Sequence, residues 1–353
     1  MSTASSHASW SSPWHTTAAG PPSTLLRALA PATTPCFSSP APTEVPFGTI
    51  RGAPRSAARP EFQLPEQLSR YTIGRLIARG GMSVVVEATD PERGERVALK
   101  VLRPSADGRH IEREAWDREV SILSALRHPG VIQLLDSGTA SGGELYLVMP
   151  LLQGRSARAE IVSMKGCDAG ALRAATIDSL MPAFLQVAGT LQYAHDCGVL
   201  HCDLKPSNIF LVRSGTRERA LLLDWGVSVI GAHWMPGDRA TGARSGGTPG
   251  YMSPEQIDRT VTDLDVRSDV YGLGALLYEF CTWQPAFRKG PPRRLLQAAM
   301  AGAIVPPHMR RPDLQIPRRL SEVVMAALDV DRRNRPGSAA ALAEAAREAL
   351  FGR

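Results

Sequence analysis

The chain has 353 residues, 43% of them hydrophobic and 21% charged, with 40 Lys and Arg against 34 Asp and Glu for a formal charge of +6. That is enough apolar material for one large or two modest domains of a soluble globular protein, and too mild a charge to mark a nucleic-acid or membrane-surface binder. Five cysteines, an odd number without C-x-x-C spacing, argue against a disulfide framework or a zinc site and for a reducing, cytoplasmic setting.

Residues 1–60 contain 42 Ser, Thr, Ala, Pro or Gly and, outside the patch "LLRALA", no apolar period. Such a segment buries too little surface to offset the entropy of ordering, so residues 1–68 are expected to form a disordered tail. No secretory signal is read there, and no stretch approaches the about 18 apolar residues of a membrane span. From Tyr71 the texture changes. "YTIGRLIARGGMSVVVEATD" reads as strand, Gly-rich turn, strand, and "ERVALKVLR" as a third strand after the turn "PERG". "HIEREAWDREVSILSALR" places Val120, Leu123 and Leu126 at helical spacing, and "GELYLVMPLL" is a further strand. Beyond it the pattern is mainly helical: a helix over 177–196, a hairpin "NIFLVRSGTRERALLLDWG" turning at Ser214–Gly215, and helices over 268–282, 293–303, 317–328 and 338–350, the last capped by Ser338.

Residue usage sharpens the motifs. Lysine occurs only at Lys100, Lys165, Lys205 and Lys289, and asparagine only at Asn208 and Asn334. In a chain whose default cation is Arg, a Lys or Asn at a motif position is there for its chemistry. "VALK", "HCDLKPSN", "LLLDWG" and "GTPGYMSPEQ" follow one another in that order. With these motifs the segment from about Tyr71 to Leu350 resembles a eukaryotic-like (Hanks-type) serine/threonine protein kinase of the bacterial kind. The resemblance implies an α+β, bilobal fold: a small antiparallel sheet with one helix over residues 69–149, and a larger, mainly helical lobe over 153–353. It also implies transfer of the γ-phosphoryl group of Mg·ATP to Ser or Thr of protein substrates, the chain itself included, with ATP and Mg²⁺ as cofactors.

Each motif has its physical reading. Phosphates of ATP need a compact cation held by a carboxylate; the resemblance makes these Lys100 and Glu119. Asp203 is placed to accept the acceptor hydroxyl's proton, Lys205 to neutralise the phosphoryl in transfer, and Asn208 and Asp224 to offer hard oxygens to Mg²⁺. By resemblance, Ile77, Ala78, Gly80, Gly81, Ser83, Val85, Ala98, Met149, Pro150, Leu152 and Phe210 complete the ATP site, and Thr248, Pro249, Gly250 and Tyr251 dock the substrate. Leu123, Leu134, His201 and Trp225 are expected to stack as one column, Glu255 to pair with Arg335, and Asp269, at a helix start where an acid can receive backbone N–H groups, to brace the catalytic loop by resemblance.

Two departures stand out. Of the Gly-rich loop pattern only Gly80 remains, with Ala78 and Ser83 at the flanking positions. Cys202 occupies the place where most of these kinases have an Arg that binds an activation-segment phosphate, and a neutral thiol cannot bind one. The expectation is an intact catalytic set with an altered switch. Three readings remain distinct: an active protein kinase, a pseudokinase scaffold that binds nucleotide without turnover, and a small-molecule phosphotransferase on the same fold. The complete "GTPGYMSPEQ" speaks against the last. The basic run Arg288, Lys289, Arg293, Arg294 is read either as a solvated surface or as a dock for acidic partners.

Overall fold

A computed structural model describes residues 64–79, 83–102, 110–214, 217–226, 228–230, 247–258, 260–261, 263–288 and 290–352. Gly80, Gly81, Lys289 and the tail over 1–63 lie outside them.

The first lobe is a six-stranded antiparallel sheet in the order β1-β2-β3-β4-β6-β5. Its strands are β1 (Gln67–Leu68), β2 (Tyr71–Arg79), β3 (Ser83–Asp90), β4 (Glu95–Leu102), β5 (Asp136–Thr139) and β6 (Leu145–Pro150). Period-two alternation decides what each strand offers. On β4, Val97, Leu99 and Val101 enter a sheet core with Val84, Val86 and Tyr146, which sends Ala98 and Lys100 to the opposite face. On β6, Tyr146 and Val148 join the same core, while Leu145 and Leu147 face the second lobe's core. Helix α1 (His110–Ala125) follows β4 and buries Trp116, Ile122 and Leu123 against that second core. One strand, β1, falls on the tail side of the boundary expected at residue 69. Leu68 is buried and pairs with Tyr71, so the packed lobe starts upstream of that boundary.

The second lobe opens with β7 (Gly154–Ser156), α2 (Ala157–Ser163) and α3 (Ala169–Ala175), capped by Ser156 and Asp168 respectively. The helix expected over 177–196 begins as a π-helical turn, Thr176–Leu180, and continues as α4 (Met181–Asp196). Two short strands, β8 (Val199–Leu200) and β11 (Val229–Ile230), pair across the loop carrying "HCDLKPSN". Between them lies the hairpin of β9 (Ile209–Ser214) and β10 (Arg217–Leu222). Gly154 lets β7 join that hairpin, since its φ is +156° and a Cβ there would stand 2.0 Å from the carbonyl oxygen of Leu211.

After α5 (Pro254–Ile257) comes α6 (Val266–Thr282), buried continuously from Ser268 to Thr282. A helix buried on all sides forms the centre of its lobe, and α4, α9 (Arg318–Ala327) and α10 (Ala339–Phe351) pack on it. The smaller α7 (Pro292–Met300) packs on α5, and α8 (Pro307–Arg310) packs on α6. Ser338 caps α10 as expected, accepting from the N–H of Ala341 at 3.1 Å.

Candidate functional site

Lys100, carried by alternation out of the sheet core, meets Glu119 of α1. Its Nζ lies 2.7 and 2.8 Å from the two Glu119 oxygens and 2.9 Å from Asp224 Oδ1. Burial pushes the Lys100 ammonium down, but the two carboxylates outweigh it and hold it well above the usual lysine range. Burial likewise raises Asp224, and the adjacent Lys100 charge wins, leaving its carboxyl below the ordinary value.

Below it, the loop from His201 to Asn208 is built around Asp203. Lys205 Nζ donates to Asp203 Oδ2 at 2.5 Å and to Thr248 Oγ1 at 2.9 Å, and Thr248 Oγ–H donates to Asp203 Oδ1 at 2.8 Å. Asn208 Nδ2 donates to the Asp203 carbonyl at 2.9 Å and to Oδ2 at 3.2 Å, which turns its own Oδ1 away from Asp203. An ionised carboxylate has about four acceptor positions. Three are filled here, leaving one for a further hydroxyl.

The loop is braced from beneath. Asp269 Oδ2 accepts from the His201 N–H at 2.7 Å and lies 2.8 Å from His195 Nε2, while Oδ1 accepts from the Cys202 N–H at 2.8 Å. Burial works against this carboxylate, and the hydrogen bond from His195 with its companions keeps it ionised, below the usual range. Asp269 thus braces the loop as the resemblance implies, while the start of its own helix is capped by Asp265, which accepts from Arg267 N–H. His201 and Trp225 are buried with ring centroids 4.7 Å apart, in one core with Leu123 and with Leu134 packed against it. The Trp225 indole N–H has no acceptor among the described residues.

Among the residues read for nucleotide binding, Ala98 faces Met149 across β4 and β6, Pro150 ends β6, and Leu152 follows it. Ala78 pairs with Val85, with Ile77 exposed beside it and Ser83 opening β3. Phe210 lies on β9 next to Gly154. A cavity of about 400 Å³ is lined by Pro150 and Leu152 together with His128, Ile132 and Leu221; Lys100, Asp203 and Asp224 take no part in it.

Around Tyr251, in the segment read for substrate docking, the sequence reading missed a network. Arg158 of α2 donates to Glu279 Oε1 at 2.8 Å and to the Tyr251 hydroxyl at 2.8 Å, and Tyr251 donates in turn to Glu279. Glu279 is the lone acid inside the run "VYGLGALLYEFCT", and such an acid signals a buried, paired group. Arg158 carries no comparable signal, being 121 residues away in sequence. Glu255 and Arg335 pair as expected, at 2.6 and 2.8 Å, with Ser268 donating to the same carboxylate at 2.8 Å.

A family model described as protein kinase domain matches residues 71–346. The chain is 31% identical over 293 residues to the serine/threonine-protein kinase PknD of Chlamydia caviae, covering 78% of this chain and 30% of that protein. It is 33% identical over 279 residues to the serine/threonine-protein kinase pkn2 of Myxococcus xanthus, covering 78% of this chain and 32% of that one. It therefore spans about a third of the length of these relatives. Among solved structures, the kinase domain of Mycobacterium tuberculosis PknI superposes with a TM-score of 0.58 at 25% identity, covering 80% of this chain and 97% of that one.

Proposed function

This chain belongs to the protein kinase family, and from that membership we propose that it transfers the γ-phosphoryl group of ATP to Ser or Thr hydroxyls of proteins, itself among them. The observation that carries this reading is the assembled pair of clusters, Lys100–Glu119–Asp224 above and Asp203–Lys205–Thr248 below. In the reaction, the acceptor oxygen forms the new O–P bond, the bond to the β-phosphate oxygen breaks, and the hydroxyl proton passes to Asp203. ADP leaves. The free acceptor position on Asp203 is where that hydroxyl docks, and Lys205 offsets charge on the phosphoryl group. All three protons of Lys100 are engaged, two by Glu119 and one by Asp224. A phosphate oxygen at Nζ displaces the Asp224 contact.

Mg²⁺ supplies charge neutralisation on the phosphates when bound. The residues fit it: Asp224 and Asn208 offer two hard oxygens, and this ion is held by one or two protein oxygens plus phosphate and water. Met149, Pro150 and Leu152 form the adenine edge in this reading, and only the carbonyl of Pro150 is needed there. Pro249 and Gly250 then shape the acceptor pocket beside Tyr251. The odd cysteine count and four free cysteines among the described residues support a reducing compartment, the cytoplasm; among those residues no helix is long and apolar enough to cross a membrane.

Cys202 lies buried with Leu200 and Leu264, where a small apolar thiol packs. In this reading it removes the phosphate-binding guanidinium and leaves the chemistry alone. The test is phosphate incorporation into a generic Ser/Thr protein with Mg·ATP, beside Asp203→Asn. The wild type incorporates phosphate, and the variant loses about 10²–10⁴ in rate. Wild-type protein that binds Mg·ATP without turnover would overturn the reading in favour of a scaffold.

A further inference from the structure

We propose that Gln256 is a positioning residue, whose side-chain amide ties the acceptor-docking segment to the peptide unit that carries Asp203. The proposal rests on the kinase reading above. Cys202 has φ of +64°, a left-handed conformation that a non-glycine residue holds only when its surroundings fix it. Both sides of the residue are fixed by side chains. Its N–H donates to Asp269 Oδ1 of α6, and its carbonyl accepts from Gln256 Nε2 of α5 at 2.8 Å.

That carbonyl belongs to the same planar peptide unit as the N–H of Asp203, which donates to His201 Nδ1 at 3.2 Å. The unit is thus gripped at its oxygen by Gln256 and at its N–H by His201, and its rotation would swing Asp203. The Gln256 amide is itself oriented, because Oε1 accepts from the N–H of buried Ser253 at 3.0 Å and from its hydroxyl at 3.1 Å. Only Nε2 is left to face the loop. Gly247 adds close contact: its φ is +127°, and a Cβ there would meet Met252 Cγ at 2.8 Å and the Cys202 carbonyl oxygen at 3.5 Å. The segment from Thr248 to Gln256 is therefore fastened to the loop at both ends, by Thr248 on Asp203 and by Gln256 on Cys202, with no phosphate in either link.

Gln256→Glu separates this tie from helix capping. The carboxylate still accepts from Ser253 and so keeps the cap, but it has no proton for Cys202 and sets an oxygen against a carbonyl. Two measurements are made on the full chain: amide hydrogen exchange over 199–205 and 247–252, and turnover of a Ser/Thr peptide. In Gln256→Glu and Gln256→Ala alike, exchange in both segments rises and kcat falls about ten- to hundredfold, with KM for ATP unchanged. Gln256→Glu matching the wild type in exchange and turnover overturns the proposal and leaves Gln256 a cap alone. A wild type without turnover overturns the kinase reading instead, and the exchange comparison still decides on the tie.

Discussion

Asp203 is the side chain on which the lower cluster converges, and its neighbour Cys202 contributes backbone geometry where a guanidinium would contribute charge. The loop is held by Asp269, Thr248 and Gln256, all of them groups that need no modification. Phosphorylation in the activation segment therefore has no receiving cation at position 202. Thr241 and Ser245, which lie outside the described residues, are the hydroxyls to examine. The double variant Thr241→Ala/Ser245→Ala is expected to keep substrate turnover within about threefold of wild type, well below the change that loss of a positioned catalytic group brings. Loss of activity in that variant, restored by acidic replacements, would mean that a phosphate is read by some other cation. Intact-mass analysis after incubation with Mg·ATP is expected to show added phosphate on the wild type and none on Asp203→Asn.

At the scale of elements, the central helix α6 does two jobs through residues of opposite character. Its apolar surface organises the second lobe, and its few polar groups point to particular partners: Asp269 to the loop from His201 to Asn208, Ser268 to Glu255, Glu279 to Arg158 and Tyr251. The Glu255–Arg335 pair fastens α5 to the turn before α10, with Arg335 also donating to the carbonyls of Arg267, Asp329 and Val330. Removing one partner of a buried pair leaves a charge without compensation, so Arg335→Met is expected to cost about 3–5 kcal/mol. Replacing both, as Glu255→Leu/Arg335→Met, recovers most of that cost. Denaturant unfolding of the two variants checks it, and an Arg335→Met change below about 0.5 kcal/mol would show the pair to be dispensable. Elements with a long apolar period, such as α1 and α10, are legible in the sequence. Helices α2 and α3 are not, because seven residues give too few turns to show a period and their caps, Ser156 and Asp168, look like ordinary loop residues. Strand β5, "DSGT", lacks β-branched or aromatic content apart from Thr139 and exists because β6 offers it an edge.

For the whole molecule, the buried carboxylates set the response to acid. Glu255 and Asp269 both have folded-state values depressed below the ordinary carboxylate range, where hydrogen bonds and Arg335 outweigh burial for the first and His195 with loop amides does so for the second. Groups of this kind contribute stability that is fully present above the unfolded-state value of about 4 and is lost as pH falls through the folded value. Stability from these two is therefore flat from neutral pH to about 5 and declines below about 4. Urea midpoints across that range measure the slope, which Glu255→Gln is expected to reduce; an unchanged slope in that variant would remove Glu255 from the account.

Sequence by itself determined the motif residues on which the proposed chemistry rests. A compact cation on a strand, a carboxylate two residues before Lys205, and hard oxygens at Asn208 and Asp224 are recognisable locally, because they stand at fixed spacing in short motifs and the scarcity of Lys and Asn makes them conspicuous. The tertiary structure alone decided the contacts that no motif announces: Arg158 on Glu279, 121 residues away, and Gln256 on the carbonyl of Cys202. The physical reason is one of range. Identity and spacing carry information over a few residues, whereas a hydrogen bond depends on a distance of about 3 Å that only the packing of whole elements fixes.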